Sequence, residues 1–217
     1  MPSRTTRVSS RKRPQQTRST ELVSAVLDAA VQVLAAEGAA RFTTARVAER
    51  AGVSVGSLYQ YFPNKASILF RLQSDEWRRT SALLRTILED RRLPPLDRLR
   101  ALVHAFIRSE CDEAQVRGAL NDAAPLYRDA PEATEVRAAT ADIFENFVRE
   151  ALPNVAGETR SRAGELIKTT LSEVGGSFSS TPRAPAEIEA YSAALADMLC
   201  AYLERLIGDS IPARHSR

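Results

Sequence analysis

Residues 43–65 read TTARVAERAGVSVGSLYQYFPNK, and the reading of this stretch decides the fold. Two short amphipathic segments flank a glycine. The first, Thr43 to Ala51, places Val47, Ala48 and Ala51 on one face. Gly52 follows, at the point where a chain leaving a helix commonly needs positive φ. The second, Ser54 to Phe62, carries Leu58 and Phe62 four residues apart and therefore on one side. Thr43 or Thr44, Ser54 and Asn64 offer side-chain oxygens for the three helix starts. Two helices joined by so short a turn form a helix-turn-helix, whose second helix can enter the DNA major groove.

Moving outward, Ser19 or Thr20 can cap a helix in which Leu22, Val23, Val26, Leu27, Ala30, Val31 and Leu34 recur at helical spacing until Gly38. Beyond Phe62, Pro63 stops one helix and Asn64 opens another, with no Gly or Pro before Pro94. Such a helix extends roughly 40 Å at 1.5 Å per residue. Pro94 and Pro95 start the next, with Leu96, Leu99, Val103, Phe106 and Ile107 as its stripe. Residues 110–131 read as short helices and loops. A helix follows over about 131–151, with Val136, Ala139, Ile143, Phe144, Phe147 and Val148 inward. Two more cover about 158–178 and 185–208, with stripes of Leu166, Ile167, Leu171, Val174 and Phe178, then Ile188, Tyr191, Leu195, Met198, Leu199, Tyr202 and Leu206. The expected fold class is all-α.

The net charge of +3 on 217 residues is unevenly spread. Residues 1–20 hold six basic and no acidic residues, residues 21–75 hold five of each, and the remainder holds 19 basic and 22 acidic. A positive field at the N-terminal end points to a polyanionic partner there. Residues 1–18 are expected to be a disordered basic arm, able to touch phosphates or the minor groove, and 211–217 a short tail. Cys111 and Cys200 belong to no C-x-x-C pair, which argues against a zinc site or a disulfide framework and fits a reducing cytosol. No apolar run is expected to reach the length of a membrane span, and Leu22 to Ala36, interrupted by Asp28 and Gln32, is a poor signal-peptide core. A cytoplasmic protein without a membrane partner is expected. No H-E-x-x-H, G-x-S-x-G or G-x-x-x-x-G-K-[ST] pattern occurs, and His104 and His215 stand apart, so no catalytic residue, metal site or cofactor is expected.

The pieces Phe42-Thr43-Thr44, Val47-Ala48, Ala51-Gly52-Val53-Ser54, Gly56-Ser57-Leu58-Tyr59 and Tyr61-Phe62-Pro63-Asn64-Lys65 together resemble the tetracycline-repressor (TetR) family of bacterial transcriptional regulators. The resemblance covers about residues 20–70. It implies a three-helix DNA-binding domain over 19–65, a helical ligand-binding and dimerisation domain over 66–210, and a homodimer that releases its double-stranded DNA operator when a small molecule binds. Alternatives are an activator or ligand-independent regulator, or a helical small-molecule-binding protein without DNA function.

Within this frame Thr44, Tyr59, Tyr61 and Lys65 are expected to hold phosphates, with both tyrosines on the exposed side of the second helix. Ser54, Val55, Gly56, Ser57 and Gln60 lie at its tip or outer face: Ser57 can bond a base or phosphate, Val55 can pack on a thymine methyl and Gln60 can read adenine. Arg46 is a further candidate. The two last stripes can pair between two copies as a four-helix bundle. A pocket for a largely apolar effector is expected among the middle helices, with Trp77, His104, Phe106, Cys111, Asn121, Tyr127, Phe144 and Phe147 as candidate lining.

Overall fold

The computed structural model describes residues 17–127 and 142–210. The described elements are α1 (Thr17–Arg41), α2 (Thr44–Arg50), α3 (Val55–Tyr61), α4 (Lys65–Leu88), α5 (Pro95–Asp112), α6 (Ala114–Ala123), a 3-10 turn (Ala124–Leu126), α7 (142–151), α8 (Gly157–Ser179) and α9 (Pro185–Asp209). No strand occurs among the described residues. The basic arm up to residue 16, the first part of the helix expected over 131–151, and the 211–217 tail lie outside them. Residues 17 and 18, expected in the arm, belong to α1.

The chain divides into two compact units. One holds α1–α3, α4 up to Arg79, and residues from Gln115 onward through α6; the other holds Thr80–Ala114 and α7–α9. The sequence reading placed the boundary at 65/66, so the first half of α4 and α6 group with the helix-turn-helix instead.

In the first unit, Val26, Ala30 and Leu34 of α1, Phe42, Val47, Ala48, Leu58, Ile68 and Leu69 are wholly buried and form one core. Burying a large aliphatic side chain contributes about 1.5–3 kcal/mol, and helices as short as α2 and α3 depend on such packing. The α1 segment Ser19–Arg41 is long and apolar enough to cross a membrane by length and composition, contrary to the sequence reading. Its few interrupting polar residues leave the mean hydropathy high, and its apolar side is the core just described. Gly38 breaks the helix at φ 72°, a left-handed conformation suited to glycine, and α1 resumes to Arg41. Glu76 and Arg117 form an almost wholly buried pair at 2.9 Å, and Gln73 Nε2 donates to Glu76 at 3.1 Å. The Tyr127 hydroxyl donates to the Leu120 carbonyl at 2.9 Å, and burial beside Glu76 pushes its pKa above the ordinary phenol range.

In the second unit, Leu99, Leu102, Val103 and Ile107 of α5 pack with Phe144, Phe147 and Val148 of α7, Ile167 and Leu171 of α8, and Leu199 and Leu203 of α9. The long helix α4 ends at Leu88, short of the Pro94 expectation. Its 24 residues span about 36 Å. Asp90 ends the run by accepting from the Arg92 backbone N–H at 3.2 Å and gripping its guanidinium at 2.7 Å. Arg98, fully buried, donates to the terminal Leu88 carbonyl and to Glu150 of α7, with its guanidinium 5.9 Å from the Phe147 ring. Among the described residues the Arg98 Nε has no hydrogen-bond partner. The bonded Arg98 guanidinium holds the Glu150 carboxyl below the ordinary carboxylate range.

A group whose folded pKa is depressed stabilises the fold above its unfolded pKa and loses that contribution as the pH falls. Glu150→Gln therefore lowers the thermal midpoint at neutral pH, and its gap to the wild type closes as the pH falls through and below the ordinary carboxylate range. Glu150→Ala, which leaves Arg98 buried without its carboxylate, costs about 2 kcal/mol at neutral pH, less than for a pair buried on both sides. Thermal unfolding between neutral and acid pH checks both.

Candidate DNA-binding interface

Each helix around the Gly52 turn starts on a side-chain cap. Thr43 Oγ1 accepts from the Arg46 backbone N–H at 3.3 Å, and Ser54 Oγ accepts from that of Ser57 at 3.0 Å. At α4, Asn64 Oδ1 accepts from Ser67 N–H at 2.9 Å. The turn is a Schellman closure: Val53 N–H donates to the Ala48 carbonyl at 3.0 Å and Gly52 N–H to Glu49 at 3.1 Å, with Gly52 at φ 67°. The caps and the glycine fall where the sequence places them. The helices are one residue shorter at each end: Thr43, Ser54 and Phe62 are extended caps, and Ala51, still helical in its dihedrals, is the C-cap that leads into Gly52.

With Leu58 turned into the core, α3 leaves Val55, Gly56, Tyr59 and Gln60 exposed, Val55 and Tyr59 at 40% and 41%. The Thr44 and Tyr59 hydroxyls lie 3.0 Å apart, joining the start of α2 to the outer face of α3. Two hydroxyls so placed can share one phosphate oxygen. Ser57, half-buried, lies 2.8 Å from Ser54 Oγ, so Ser54 acts first as the cap of α3 and holds the Ser57 hydroxyl at its tip. Lys65 is exposed at the first turn of α4.

Tyr61 corrects the expectation. It is 7% exposed and belongs to the core of the first unit. It follows Leu58 by three residues, and i and i+3 share a helix face as i and i+4 do, so Tyr61 turns inward with Leu58 while Tyr59 stays outside. Arg46 is turned back from the Thr44 end of α2: its Nη1 pairs with the Glu37 carboxylate and donates to the Arg41 carbonyl at 3.2 Å. Arg50 likewise donates from Nε to Gln32 Oε1 at 2.7 Å. Glu37 and Gln32 were missed in the sequence, where they lie nine and eighteen residues before their partners with no local pattern to mark them.

The ligand candidates divide between the two units. Trp77, Asn121 and Tyr127 belong to the first unit, whereas His104, Phe106, Cys111, Phe144 and Phe147 belong to the second. Asn121 is exposed, contrary to its expected place in a pocket wall, and Tyr127 is taken up by the Leu120 carbonyl. His104 Nδ1 lies 3.2 Å from Glu189 of α9. Phe147 lines a cleft of about 600 Å³ with Leu88, Ile143, Asn146, Arg149 and Glu150. Cys111 and Cys200 are both free, and burial pushes both thiols up, which disfavours a reactive thiolate. Among the described residues no cluster of His, Cys, Asp and Glu could hold a metal ion.

An all-α chain with a capped helix-turn-helix and a polar outer face defines a DNA-binding transcriptional regulator. The chain belongs to the tetracycline-repressor family: residues 26–72 match the model for bacterial regulatory proteins of the tetR family, and residues 94–206, just over half the chain, match the tetracyclin repressor-like C-terminal domain. A nucleoid occlusion factor, SlmA, of Vibrio campbellii is 35% identical over 83 residues, 38% of this chain and 42% of that one, so the match spans less than half of that relative. Among solved structures, Salmonella enterica GusR superposes with a TM-score of 0.70 at 18% identity, covering 90% of this chain and 100% of its own. The fatty acid degradation regulator FadR from Bacillus halodurans gives 0.60 at 20% identity, covering 94% and 100%. At such identities these two share the fold.

Tyr59→Phe removes the hydroxyl beside Thr44 and weakens binding to specific and random duplexes alike. Lys65→Ala does the same and also lowers the slope of log affinity against log salt by about 1. Titrations of both duplexes over a salt series check this; lost discrimination with undiminished general affinity contradicts the phosphate roles.

Proposed function

We propose that this regulator is a repressor, not an enzyme, that binds a palindromic operator as a homodimer in the cytoplasm and leaves it when a small, largely apolar effector binds. The observation that carries the DNA half of the reading is the 3.0 Å pairing of Thr44 and Tyr59 beside the exposed Val55, Gly56 and Gln60. Phosphate-holding hydroxyls flank base-facing side chains on one surface, with Ser57 at the helix tip.

The dimer half is supported by α8 and α9. Leu166, part of the apolar stripe that the sequence offers for pairing, is 47% exposed, and Met198 and Tyr191 of α9 are 54% and 36% exposed. Apolar side chains left outside two long helices are what a second copy would cover, and two-fold pairing calls for two operator half-sites. The effector half has its support in the cleft of about 600 Å³ beside Phe147, which Leu88, Ile143 and Phe147 line together with the polar and charged Glu89, Arg91, Asn146, Arg149 and Glu150. A concave site of this size suits a small organic molecule whose apolar part meets the three apolar side chains and whose polar groups meet the rest.

The test is a mobility shift on DNA from upstream of the chain's own gene. Saturable binding that resists random competitor is expected, and binding no stronger than to random duplex sinks the reading. Paired Leu166→Glu and Met198→Glu substitutions should yield a monomeric mass at micromolar concentration and a weaker operator complex.

A further inference from the structure

Residues 21–75 carry five cations against five acidic residues, and some of those cations are folded back onto the first unit itself. Arg46 sits in the first turn of α2, two residues past Thr44, with its backbone N–H already taken by Thr43 Oγ1. Its side chain is 44% exposed, yet the guanidinium turns to α1, where the Glu37 carboxylate and the Arg41 carbonyl hold it. Arg41 is available because the chain bends at Gly38, immediately after Glu37, before the last residues of α1. Arg46 and Glu37 line a cleft of about 520 Å³ with Gln32, Glu49 and Arg50, and there Arg50 is docked on Gln32. The guanidinium of Arg71 is likewise spent on Asp75 at 2.8 Å.

We infer that Glu37 holds Arg46 away from the DNA and so sets the general affinity of the domain below what its cations could provide. This rests on the regulator reading. The structural core does not involve the pair: both side chains are partly exposed, and α1 and α2 are joined by Val26, Ala30, Leu34, Val47 and Ala48. Releasing Arg46 requires only rotation of its own side chain. An arginine freed beside Thr44 and Tyr59 gains a phosphate adjoining the one they hold, and each added phosphate contact steepens the salt dependence by about 0.9. Glu37 is thus a positioning residue that acts through Arg46, with no DNA contact of its own. A device of this kind keeps non-specific binding low while the uncharged outer face of α3 reads sequence.

The test is a four-member cycle of wild type, Glu37→Gln, Arg46→Ala and the double variant. Each is titrated on operator and on random duplex between about 50 and 200 mM salt, with thermal melts confirming the fold. Gln keeps the shape of Glu37 and removes only its charge. Glu37→Gln should tighten binding to both duplexes by about 2- to 5-fold, the scale on which an exposed ion pair holds its partner, and steepen the salt slope by about 1. In the Arg46→Ala background the same substitution should change neither quantity. Unchanged or weaker binding by Glu37→Gln overturns the inference. So does equal tightening with and without Arg46, which would mean that Glu37 merely repels DNA. A wild type that binds no duplex defeats the regulator reading and this inference together, whereas a binding wild type without coupling defeats the inference alone.

Discussion

The turn at Ala51–Gly52–Val53 sets the angle between two helices of seven residues each. Helices that short have little stability of their own, so their direction comes from the turn, the caps and the residues they bury. Gly52 holds φ 67°, which costs an ordinary residue roughly 1–2 kcal/mol. Its amide and that of Val53 close on the Glu49 and Ala48 carbonyls, and Val47, Ala48 and Leu58 are wholly buried beneath. Once the turn is fixed, the outer face of α3 follows by helical geometry: Leu58 inward leaves Tyr59 and Gln60 outward.

That face carries no charge. Val55, Gly56, Ser57, Tyr59 and Gln60 offer a methyl surface, close backbone approach and hydroxyl or amide groups. The nearby cations are Lys65, exposed at the start of α4, and the two α2 arginines turned onto α1. Charge supplies affinity that is blind to sequence, and base edges supply discrimination. On the proposed reading, a head poor in free charge leans on the second, and general affinity is left to the Thr44 and Tyr59 hydroxyls and Lys65, with the basic residues before Thr20 as a further proposed source.

The helix-turn-helix was legible because its determinants are local. A cap lies one residue from its helix, the glycine lies in the turn it makes, and Pro63 lies beside the helix it stops. What was missed was set by partners distant in sequence or by a narrow choice of angle. Tyr61 lies only 60° around the helix from Leu58 on the side opposite Phe62, so the Leu58–Phe62 pair alone misjudged the width of the buried face. Arg46, a candidate contact from the sequence, is paired with Glu37, nine residues earlier. The end of α4 depended on Asp90 gripping Arg92 and on Arg98 claiming the Leu88 carbonyl, neither of which shows as a Gly or Pro. The exposure of Leu166 and Met198 could not be told from burial, because one apolar stripe serves a core and a subunit interface equally well. Pocket lining is the least legible, since it depends on which helices converge, and the eight proposed residues fall into two units.

The central claim is that the outer face of α3 reads DNA as one half of a symmetric pair. Footprinting with the full chain on its own upstream DNA tests it most directly. Two protected half-sites related by a dyad are expected, centred about one helical turn or a multiple of it apart, with protection lost when Gln60 and Ser57 are both replaced by alanine. A single unpaired footprint, protection that follows no sequence, or a footprint unchanged by the double replacement would contradict it.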